Sequence, residues 1–381
     1  MGKFGTRSRD FFKRETVFCI AAVLAVFSSC LVPPDREYIN YIDFKTLALL
    51  FGLMAIVAGM QSIGVFTALG QKLLQGSRGT RKLSLILVCV CFFCSMVITN
   101  DVALITFVPF TILVYSMAGR EEYLIRLIVL ETIAANLGSM ATPIGNPQNL
   151  YLYSVSGLSI FEFLQAVLPY TGISLILLIG VLLSGRDEPI HMEVRMSGLP
   201  EECRKSAGKL FLYLVLFTLN ILVVLHVLPW QAAFAVTFFY MCLRDRKVMG
   251  GLDYFLLLTF VCFFIFIGNI KRIEGIRFFL EQVISGHELL TGIAASQVIS
   301  NVPAAILLSG FTKQYQTLLT AVNLGGLGTL IASLASLISY KFFVKSFETQ
   351  KGAYVAAFTK WNSLFLIVLT FFWYILKFIN F

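Results

Sequence analysis

Charged residues are scarce in this chain of 381 residues. Lys, Arg, Asp and Glu make up 13% of it, hydrophobic residues make up 58%, and the mean hydropathy is +0.83. A soluble domain of this size exposes far more charge, so the composition excludes a water-soluble globular protein and predicts that most of the chain lies in lipid. The net charge of +9 then indicates basic loops beside a membrane, and no nucleic-acid partner is expected.

The residue patterns of common enzymes and pumps are also missing from the sequence. The three histidines (His191, His226 and His287) are far apart and near predicted helix ends, so they indicate no metal site. No Ser/His/Asp set stands at catalytic spacing, and no GxxxxGK[ST] loop is present to bind a nucleotide. The longest predicted loop, 184–209, is too short for a catalytic domain. We therefore expect neither an enzyme nor a cofactor.

Cysteine offers two interpretations. Most of the eight cysteines are scattered inside apolar runs, which argues against a disulfide framework. Cys89, Cys91 and Cys94 cluster on one predicted helix, where thiols could bind a soft metal or arsenite. Alternatively, they are small, polarisable packing residues of a membrane helix.

Long apolar runs are what the chain has in abundance, and six are long enough to cross a bilayer. The first follows Lys13 and Arg14 as in a signal peptide, but no A-x-A site comes after it, so we interpret it as the first span. The six predicted spans are 17–32, 46–61, 164–183, 210–228, 254–268 and 361–379.

Basic residues predict the orientation of these spans. With the amino terminus in the cytoplasm, the predicted inner segments hold 23 of the 30 Lys and Arg residues, as the positive-inside rule requires. Those inner segments are 1–16, 71–83, 119–126, 184–209, 244–252 and 341–360.

Two stretches of the sequence are repeated later in the chain, in the same order. Residues 95–111 (SMVITNDVALITFVPFT) match 296–312 (SQVISNVPAAILLSGFT) at 8 of 17 positions. Residues 136–153 (NLGSMATPIGNPQNLYLY) match 323–340 (NLGGLGTLIASLASLISY) at 7 of 18. Polar interruptions at corresponding places in two halves of a membrane protein are the best sequence indication of a transporter's binding site.

The first repeated block predicts a re-entrant helical hairpin in each half. Basic residues flank the apolar stretch 83–118 on both sides, so the chain must enter the membrane there and return, with Thr99, Asn100 and Asp101 at the tip. The second hairpin would run over 289–311 with Ser300 and Asn301 at its tip. Non-helical backbone at this depth is tolerated only inside protein or beside a water-filled cavity.

Counting spans predicts how the two copies are related. The broken helix 124–147 and the connecting spans within 210–252 count as crossings as well. The span 46–61 before the first hairpin is then the second crossing, and the span 254–268 before the second hairpin is the seventh. Because the difference is odd, the copies should be inverted. We thus predict an all-α polytopic membrane protein with two inverted repeats, each with a hairpin and an interrupted span. Its predicted parts are a tail 1–16, a first span and outer loop 17–43, repeat 1 over 44–183 (broken helix 124–147), a loop 184–209, connecting spans 210–252 and repeat 2 over 253–381 (broken helix 317–340).

The hairpin tips have the sequence of helix starts. Asn301 is a favoured N-cap residue and Pro303 suits a first helical turn. Asn100 offers the same role in the other half, with Asp101 in the first turn. A helix N-terminus carries roughly half a positive charge and binds anions, so each tip is a candidate anion site.

The second repeated block predicts interrupted spans. Two prolines make 142–147 incompatible with a continuous helix, and three glycines loosen 325–329. In a segment that is not helical, backbone carbonyls are free to coordinate a cation. Each of these two breaks in a helix also contains a threonine hydroxyl. We expect both tips and both breaks to surround one site, with Asn136, Asn323 and Glu131 just behind it. The predicted binding residues are Thr99, Asn100, Asp101, Thr142, Pro143, Gly145, Asn146, Ser300, Asn301, Gly325, Gly328 and Thr329.

Several of these residues have a structural alternative. Glycine-rich stretches commonly serve close helix packing, and Asn136 or Asn323 could form an ordinary interhelical hydrogen bond. Asp101 is functional by default, because a carboxylate in the membrane costs about 2.5–3.5 kcal/mol on insertion scales, although it could simply cap a helix in a wet cavity. Glu131 could pair with Arg126 at the membrane interface.

At these residues the chain resembles the ion transporter superfamily, which includes arsenite permeases, NhaD-type sodium/proton antiporters and citrate-transporter-like proteins. The matching stretches are TNDVALITFVP, ATPIGNPQNL, SQVISNVPAAILL and VNLGGLGTLIASL. It is most similar to short bacterial inner-membrane members. The resemblance implies a multi-pass protein of a prokaryotic cytoplasmic membrane, a substrate held between hairpin tips, and coupling to Na⁺ or H⁺. Homodimers and elevator-like movement occur in the dicarboxylate branch.

The tip sequences separate the chain from the dicarboxylate branch, whose tips carry Ser-Asn-Thr. In the second tip of this chain, Val302 stands in place of the threonine. In the first tip, Asp101 takes that place, where it would repel a carboxylate unless it is protonated or paired with a cation. We therefore expect an ion-coupled transporter of a small anion, either an inorganic, arsenite-like oxyanion or a carboxylate, with a Na⁺ site among Asn100, Asp101 and Asn301. The alternative is a sodium/proton antiporter in which Asp101 is the exchanging group.

Overall fold

The computed structural model describes residues 15–74, 79–189 and 206–379, and these ranges are almost entirely helical, without a β-strand. Seven helices in them are long and apolar enough to cross a membrane. They are Phe44–Ser62, Thr80–Ile98, Asn100–Met117, Ile160–Leu183, Ala207–Val224, Tyr254–Arg272 and Glu348–Ile379. Two further apolar helices, Val17–Leu31 and Glu288–Ile299, are shorter.

The helices fall into two series joined by a connecting group. The first series is α1 (Thr16–Leu31), α2 (Tyr38–Tyr41), α3 (Phe44–Ser62), α4 (Val65–Leu74), α5 (Thr80–Ile98), α6 (Asn100–Met117), α7 (Leu124–Ser139), α8 (Pro147–Ser156) and α9 (Ile160–Leu183). The connecting helices are α10 (Ala207–Val224), α11 (Trp230–Arg244) and α12 (Arg246–Met249). The second series is α13 (Tyr254–Arg272), α14 (Glu274–Ile284), α15 (Glu288–Ile299), α16 (Asn301–Ser309), α17 (Tyr315–Leu324), α18 (Leu334–Ser346) and α19 (Lys351–Ile379).

The order of elements from α3 to α9 recurs from α13 to α19. Each series starts with a long helix capped by an aspartate: Asp43 accepts the Thr46 N–H at 3.1 Å, and Asp253 accepts the Leu256 N–H at 3.0 Å. Each then has a short amphipathic helix, α4 or α14, which the apolar runs of the sequence did not predict. A helix pair, a broken helix and a long final helix follow in both.

Both helix pairs fold back on themselves. The Tyr115 hydroxyl near the end of α6 lies 2.6 Å from the Ser84 hydroxyl near the start of α5. Likewise, Thr312 just beyond α16 donates to Glu288 at the start of α15 at 3.1 Å. Each pair is therefore an antiparallel hairpin, and its tip lies where one helix ends and the next begins.

The final helix begins ten residues before the predicted apolar span 361–379, at Lys351. The segment 351–360 contains charged residues, but Tyr354 and Phe358 lie one turn apart on it and both are fully buried. Residues spaced by four share a helix face, so this first part of α19 packs into the protein while its charges face outward. The apolar-run criterion misses such a segment.

Helix α7 lies at the centre of the first series, and 14 of its 16 residues are buried. Close contact with α5 depends on Gly138, because a Cβ there would lie 2.1 Å from the Phe92 carbonyl oxygen. The second series repeats this contact: a Cβ on Gly325 would lie 2.6 Å from the Ser296 hydroxyl of α15. Each hairpin thus packs against the broken helix of its own copy through an equivalent glycine.

Candidate functional site

The two hairpin tips have the same backbone conformation. Thr99 has φ 74° and ψ 152°, and Ser300 has φ 73° and ψ 154°. A positive φ is unfavourable for residues other than glycine and is typical of functional sites. These residues, and not Asn100 and Asn301, occupy the N-cap positions of α6 and α16. The predicted N-cap was therefore wrong by one residue, because the sharp turn occurs before each asparagine.

Each tip is anchored to the break in the broken helix of its own copy. The Asn100 N–H donates to the Gly145 carbonyl at 3.1 Å, and the Asn301 N–H donates to the Ala332 carbonyl at 2.9 Å. Gly145 and Ala332 occupy equivalent positions of the second repeated block. The first backbone amide of each tip helix is therefore already satisfied within the protein.

The two predicted threonine ligands also join breaks to hairpins. The half-buried Thr142 hydroxyl donates to the Met96 carbonyl near the end of α5. The exposed Thr329 hydroxyl donates to the Gln297 carbonyl at 3.3 Å, at the equivalent place in α15. Their protons are thus committed to the backbone, and only their oxygens remain as acceptors.

The two broken helices exchange hydrogen bonds reciprocally. Asn146, the N-cap of α8, donates to Asn323 of the other copy at 3.1 Å, and Asn323 donates to Asn149 at 2.6 Å. In the other direction Ser333, the N-cap of α18, donates to Asn136 at 3.0 Å, and Asn136 lies 3.5 Å from the Ser336 hydroxyl. Such reciprocal contacts are what a two-fold axis between two copies produces.

Both tips join this exchange, so the four segments lie together. The Asn100 Nδ2 donates to Asn136 Oδ1 at 3.0 Å. In the other copy, a Cβ on Gly326 would lie 2.9 Å from the Asn301 Nδ2, so that glycine gives the Asn301 amide its space. The contacts form a closed ring, the tip–break ring, made of Asn100, Asn136, Gly145, Asn146, Asn323, Gly326, Asn301, Ala332 and Ser333.

Asp101 lies beside the tip–break ring, in the first turn of α6. Its backbone N–H donates to the Asn100 side chain at 3.0 Å. Its Oδ1 is buried and has no hydrogen-bond partner among the described residues. Another acid, Asp253 at the start of α13, lies within electrostatic reach of it. A carboxylate in such surroundings is stable when protonated or next to a bound cation.

The remaining predicted residues shape the two breaks. Pro143 is buried, and a Cβ on Gly145 would lie 2.0 Å from the Ser139 carbonyl oxygen. Gly328 has φ 101°, which favours glycine. The Ser300 hydroxyl lies 3.4 Å from the Ala332 carbonyl oxygen.

Four polar residues of the site were not predicted. Asn149 donates to the carbonyls of Met140 at 3.2 Å and Thr142 at 3.0 Å and so holds the first break open. Gln297 does the same for the second break: its Nε2 lies 2.9 Å from the carbonyl oxygens of both Gly325 and Leu327. The others are Ser333 and Ser336. All four lie within the repeated blocks, and Asn149 is equivalent to Ser336, so pairing every polar position of the two blocks would have found three of them.

Glu131 does not pair with Arg126, so that alternative was wrong. Glu131 is fully buried and accepts a hydrogen bond from the Thr111 hydroxyl at 2.5 Å. Arg126 instead donates to the Val181 carbonyl at 2.6 Å and lies over the Trp361 ring. The helical spacing of α7 separates the two side chains.

The described residues contain no group of three His, Cys, Asp or Glu side chains that could hold a metal ion. Cys89, Cys91 and Cys94 belong to no such group: Cys91 is buried and the other two are half-buried. His191 lies outside the described residues.

Comparison with known proteins agrees with this architecture. The model of the citrate transporter family matches residues 6–316. The inner membrane protein YbiR of Escherichia coli (strain K12) is 36% identical over 335 residues, 86% of this chain and 87% of YbiR. The uncharacterized transporter MJ0456 of Methanocaldococcus jannaschii is 31% identical over 329 residues, 85% of this chain and 88% of that protein.

A shorter similarity links the chain to a plant protein. The silicon efflux transporter LSI3 of Oryza sativa subsp. japonica is 34% identical over 151 residues, 39% of this chain and 30% of that protein. The family and two of these three relatives are named as transporters, and none of them is named as an enzyme. The match to the family model shows that the chain belongs to the citrate transporter family, and the seven apolar helices among the described residues and the similarity to an inner-membrane protein agree that it is a membrane transporter.

Proposed function

We propose that this protein is an ion-coupled secondary transporter that moves a small anion across the cytoplasmic membrane by alternating access. The tip–break ring carries the proposal. It gathers two helix N-termini, two stretches of unwound backbone and one unpartnered carboxylate at one place. Helix N-termini attract anions, and Asp101 supplies the group that a coupling cation would neutralise.

The substrate and the coupling ion would bind interdependently. An anion near Asn100 and Asn301 is repelled by an ionised Asp101 and accepted once Asp101 is protonated or holds Na⁺. Na⁺ would take oxygen ligands, which the Asp101 carboxylate, the Asn side chains and the carbonyls of the breaks can offer. Neutralisation of Asp101 therefore makes anion binding depend on the ion.

Inverted repeats and re-entrant hairpins complete the mechanism. The reciprocal bonds between the two broken helices support a two-fold relation between the copies. The odd difference in crossings and the distribution of basic residues support an axis in the plane of the membrane, with a cytoplasmic amino terminus. Exchange of conformation between the copies would then open the site to one side at a time.

The substrate class follows from the tips. Asp101 and Val302 replace polar neutral residues that would bind a carboxylate, which favours small inorganic anions and weak acids over tricarboxylates. The name of the rice relative refers to silicon and the name of the family refers to citrate, so both belong in a transport screen.

The test is uptake into proteoliposomes that contain the purified full chain. Arsenite, silicic acid, citrate and succinate are offered one at a time with an inward Na⁺ or H⁺ gradient. We expect one of them to accumulate with the gradient and Asp101→Asn to abolish the dependence on the ion. Asp43→Asn is the matched control, because Asn also caps helices and Asp43 lies outside the tip–break ring. Gradient-driven uptake that is unchanged in Asp101→Asn would contradict the proposal.

The alternative is a sodium/proton antiporter in which Asp101 exchanges the two cations. The absence of a described Lys or Arg partner for the buried Oδ1 of Asp101 favours it. Proteoliposomes with an internal pH-sensitive dye are exposed to Na⁺ or Li⁺ at several pH values. A cation-dependent pH change without any anion supports the alternative, and the absence of such a change excludes it.

A further inference from the structure

A second acid lies inside the protein, away from the tip–break ring. Glu131 is on α7, five residues before Asn136 and thus about 7–8 Å from it along the helix axis. It is 0% exposed, and its Oε1 accepts the Thr111 hydroxyl at 2.5 Å. Its Oε2 is buried and has no hydrogen-bond partner in residues 15–74, 79–189 and 206–379. A charged carboxylate in this setting is strongly disfavoured unless a cation compensates it.

No cation compensates Glu131 in the described part of the chain. The titratable groups facing it are Cys91 of α5, Tyr115 of α6 and Tyr354 of α19. None of them is positively charged in any protonation state. Helices α9, α17 and α18 also pack against α7 but place no described Lys, Arg or His in an ion pair with Glu131.

The fold itself does not need an acid at this position. The equivalent residue of the second copy, five residues before Asn323, is Leu318, which is also 0% exposed. The same helix in the same kind of packing therefore accepts an apolar side chain. The threonine whose hydroxyl bonds Glu131 is present in both copies, because Thr111 corresponds to Thr312 in the first repeated block. Glu131, like Asp101, is an acidic departure confined to the first copy.

A small cavity and two hydroxyl groups lie between the protein surface and the face of α6 that bonds Glu131. A cavity of about 30 Å³, lined by Ser84, Leu130 and the exposed Arg186, lies beside the start of α5. It has room for one or two waters. The Ser84 hydroxyl lies 2.6 Å from the Tyr115 hydroxyl. The Tyr115 hydroxyl donates to the Thr80 carbonyl at 3.1 Å. Tyr115 is one turn from Thr111 on the same face of α6, so the cavity lies about one helical turn from the hydroxyl that bonds Glu131.

On the other side, Glu131 is next to the bonds that join the two copies. Its neighbour Thr132 donates to Ser339 of α18 at 2.8 Å, and Ser336, one turn away, lies 3.5 Å from Asn136. Glu131 is therefore adjacent in sequence to a residue of the α7–α18 contact, which continues into the tip–break ring.

We propose that Glu131 is a proton-binding site of the transport cycle, distinct from Asp101. Its Oε2 takes one proton from water that enters by the cavity beside Ser84 and Tyr115 and later returns that proton to water, so no other group is consumed. The neutral acid fits the closed packing around α7, and the ionised acid loosens the α7–α18 contact. This role rests on the proposed function, because it assigns the proton to a transport cycle.

The first test needs no substrate. Infrared difference spectra of the purified full chain in lipid, recorded at increasing pH, report the C=O stretching band of a protonated carboxylic acid. We expect a band that Glu131→Gln removes and that Glu131→Asp shifts. Glu288→Gln is the matched control, because Glu288 is also buried and also accepts from a threonine, Thr312, yet lies outside the proposed path. A spectrum that Glu131→Gln leaves unchanged overturns the proposal.

The second test measures proton movement with the dye-loaded proteoliposomes, with arsenite, silicic acid or citrate as probes. We expect Glu131→Gln to lose the proton flux that accompanies the transported probe and Tyr115→Phe to slow it, while Glu288→Gln keeps it. Undiminished proton flux in Glu131→Gln overturns the proposal. If the unmodified protein transports none of the probes, the proposed function fails, while the infrared band still decides whether Glu131 holds a proton.

Discussion

Asn136 joins a tip of one copy to the broken helix of the other, and its replacement by alanine is the sharpest test of the tip–break ring. The side chain is 4% exposed and accepts from Asn100 and from Ser333, both at 3.0 Å. Alanine would leave two buried donors without a partner. Removing a partner costs about 1–3 kcal/mol per stranded group, so we expect the free energy of unfolding to fall by about 2–6 kcal/mol.

A double-mutant cycle separates the bond from the site. Unfolding by denaturant in detergent micelles is compared for Asn100→Ala, Asn136→Ala and the double variant. Because the two side chains are in contact, their effects should be non-additive by about 0.5–3 kcal/mol. Additivity within about 0.5 kcal/mol would refute the contact on which the ring depends.

A matched asparagine separates stability from transport. Asn220 is equally buried and donates to the Leu216 carbonyl at 2.9 Å and to Thr237 at 3.2 Å, among α10 and α11. Asn220→Ala should lower the free energy of unfolding by about 1–3 kcal/mol without changing the affinity for the transported anion. Asn136→Ala should weaken that affinity. An equal affinity in both variants would mean that Asn136 is only structural.

Two further predictions concern the breaks. Gly138→Ala should destabilise the protein by about 1–3 kcal/mol, because the new Cβ would clash with the backbone of α5. The control is Gly172→Ala on α9, where a Cβ would have no atom within 4 Å, so this variant should be neutral or slightly stabilising. Thermal unfolding compares the stability of the two variants. Gln297→Ala should speed amide hydrogen exchange at 325–329, because its side chain bonds three backbone groups there; unchanged exchange would mean that the break holds itself open.

Much of the site could be predicted from the sequence because polar residues interrupt apolar runs at repeated positions. Asn100 and Asn301 are such positions, and the structure brings both into one ring. What could not be predicted is the exchange between copies: nothing in the residue pattern says that Asn136 bonds Ser333 and Asn323 bonds Asn146. Those pairs depend on how two broken helices pack, which short-range patterns do not encode.

Other differences have a similar origin. The start of α19 carries charges that interrupt its apolar pattern, so its burial through Tyr354 depends on contacts with distant helices. The positive φ of Ser300 moved the start of α16 by one residue, which propensity alone does not reveal. The sequence left two positions open for Glu131, behind the site or at the membrane interface, because its counterpart, Leu318, has no polar character to mark the position.

The most direct test of the account is a disulfide between the two copies. The hydroxyl oxygens of Thr132 on α7 and Ser339 on α18 are 2.8 Å apart, a separation that allows two cysteines at these positions to be bridged. Thr132→Cys with Ser339→Cys is made in a background without other cysteines, with a protease site inserted into 184–209. We predict that oxidation in membranes joins the two protease fragments and that neither single variant does so. Fragments that stay separate after oxidation would show that the two broken helices do not meet, and the shared site would have no basis.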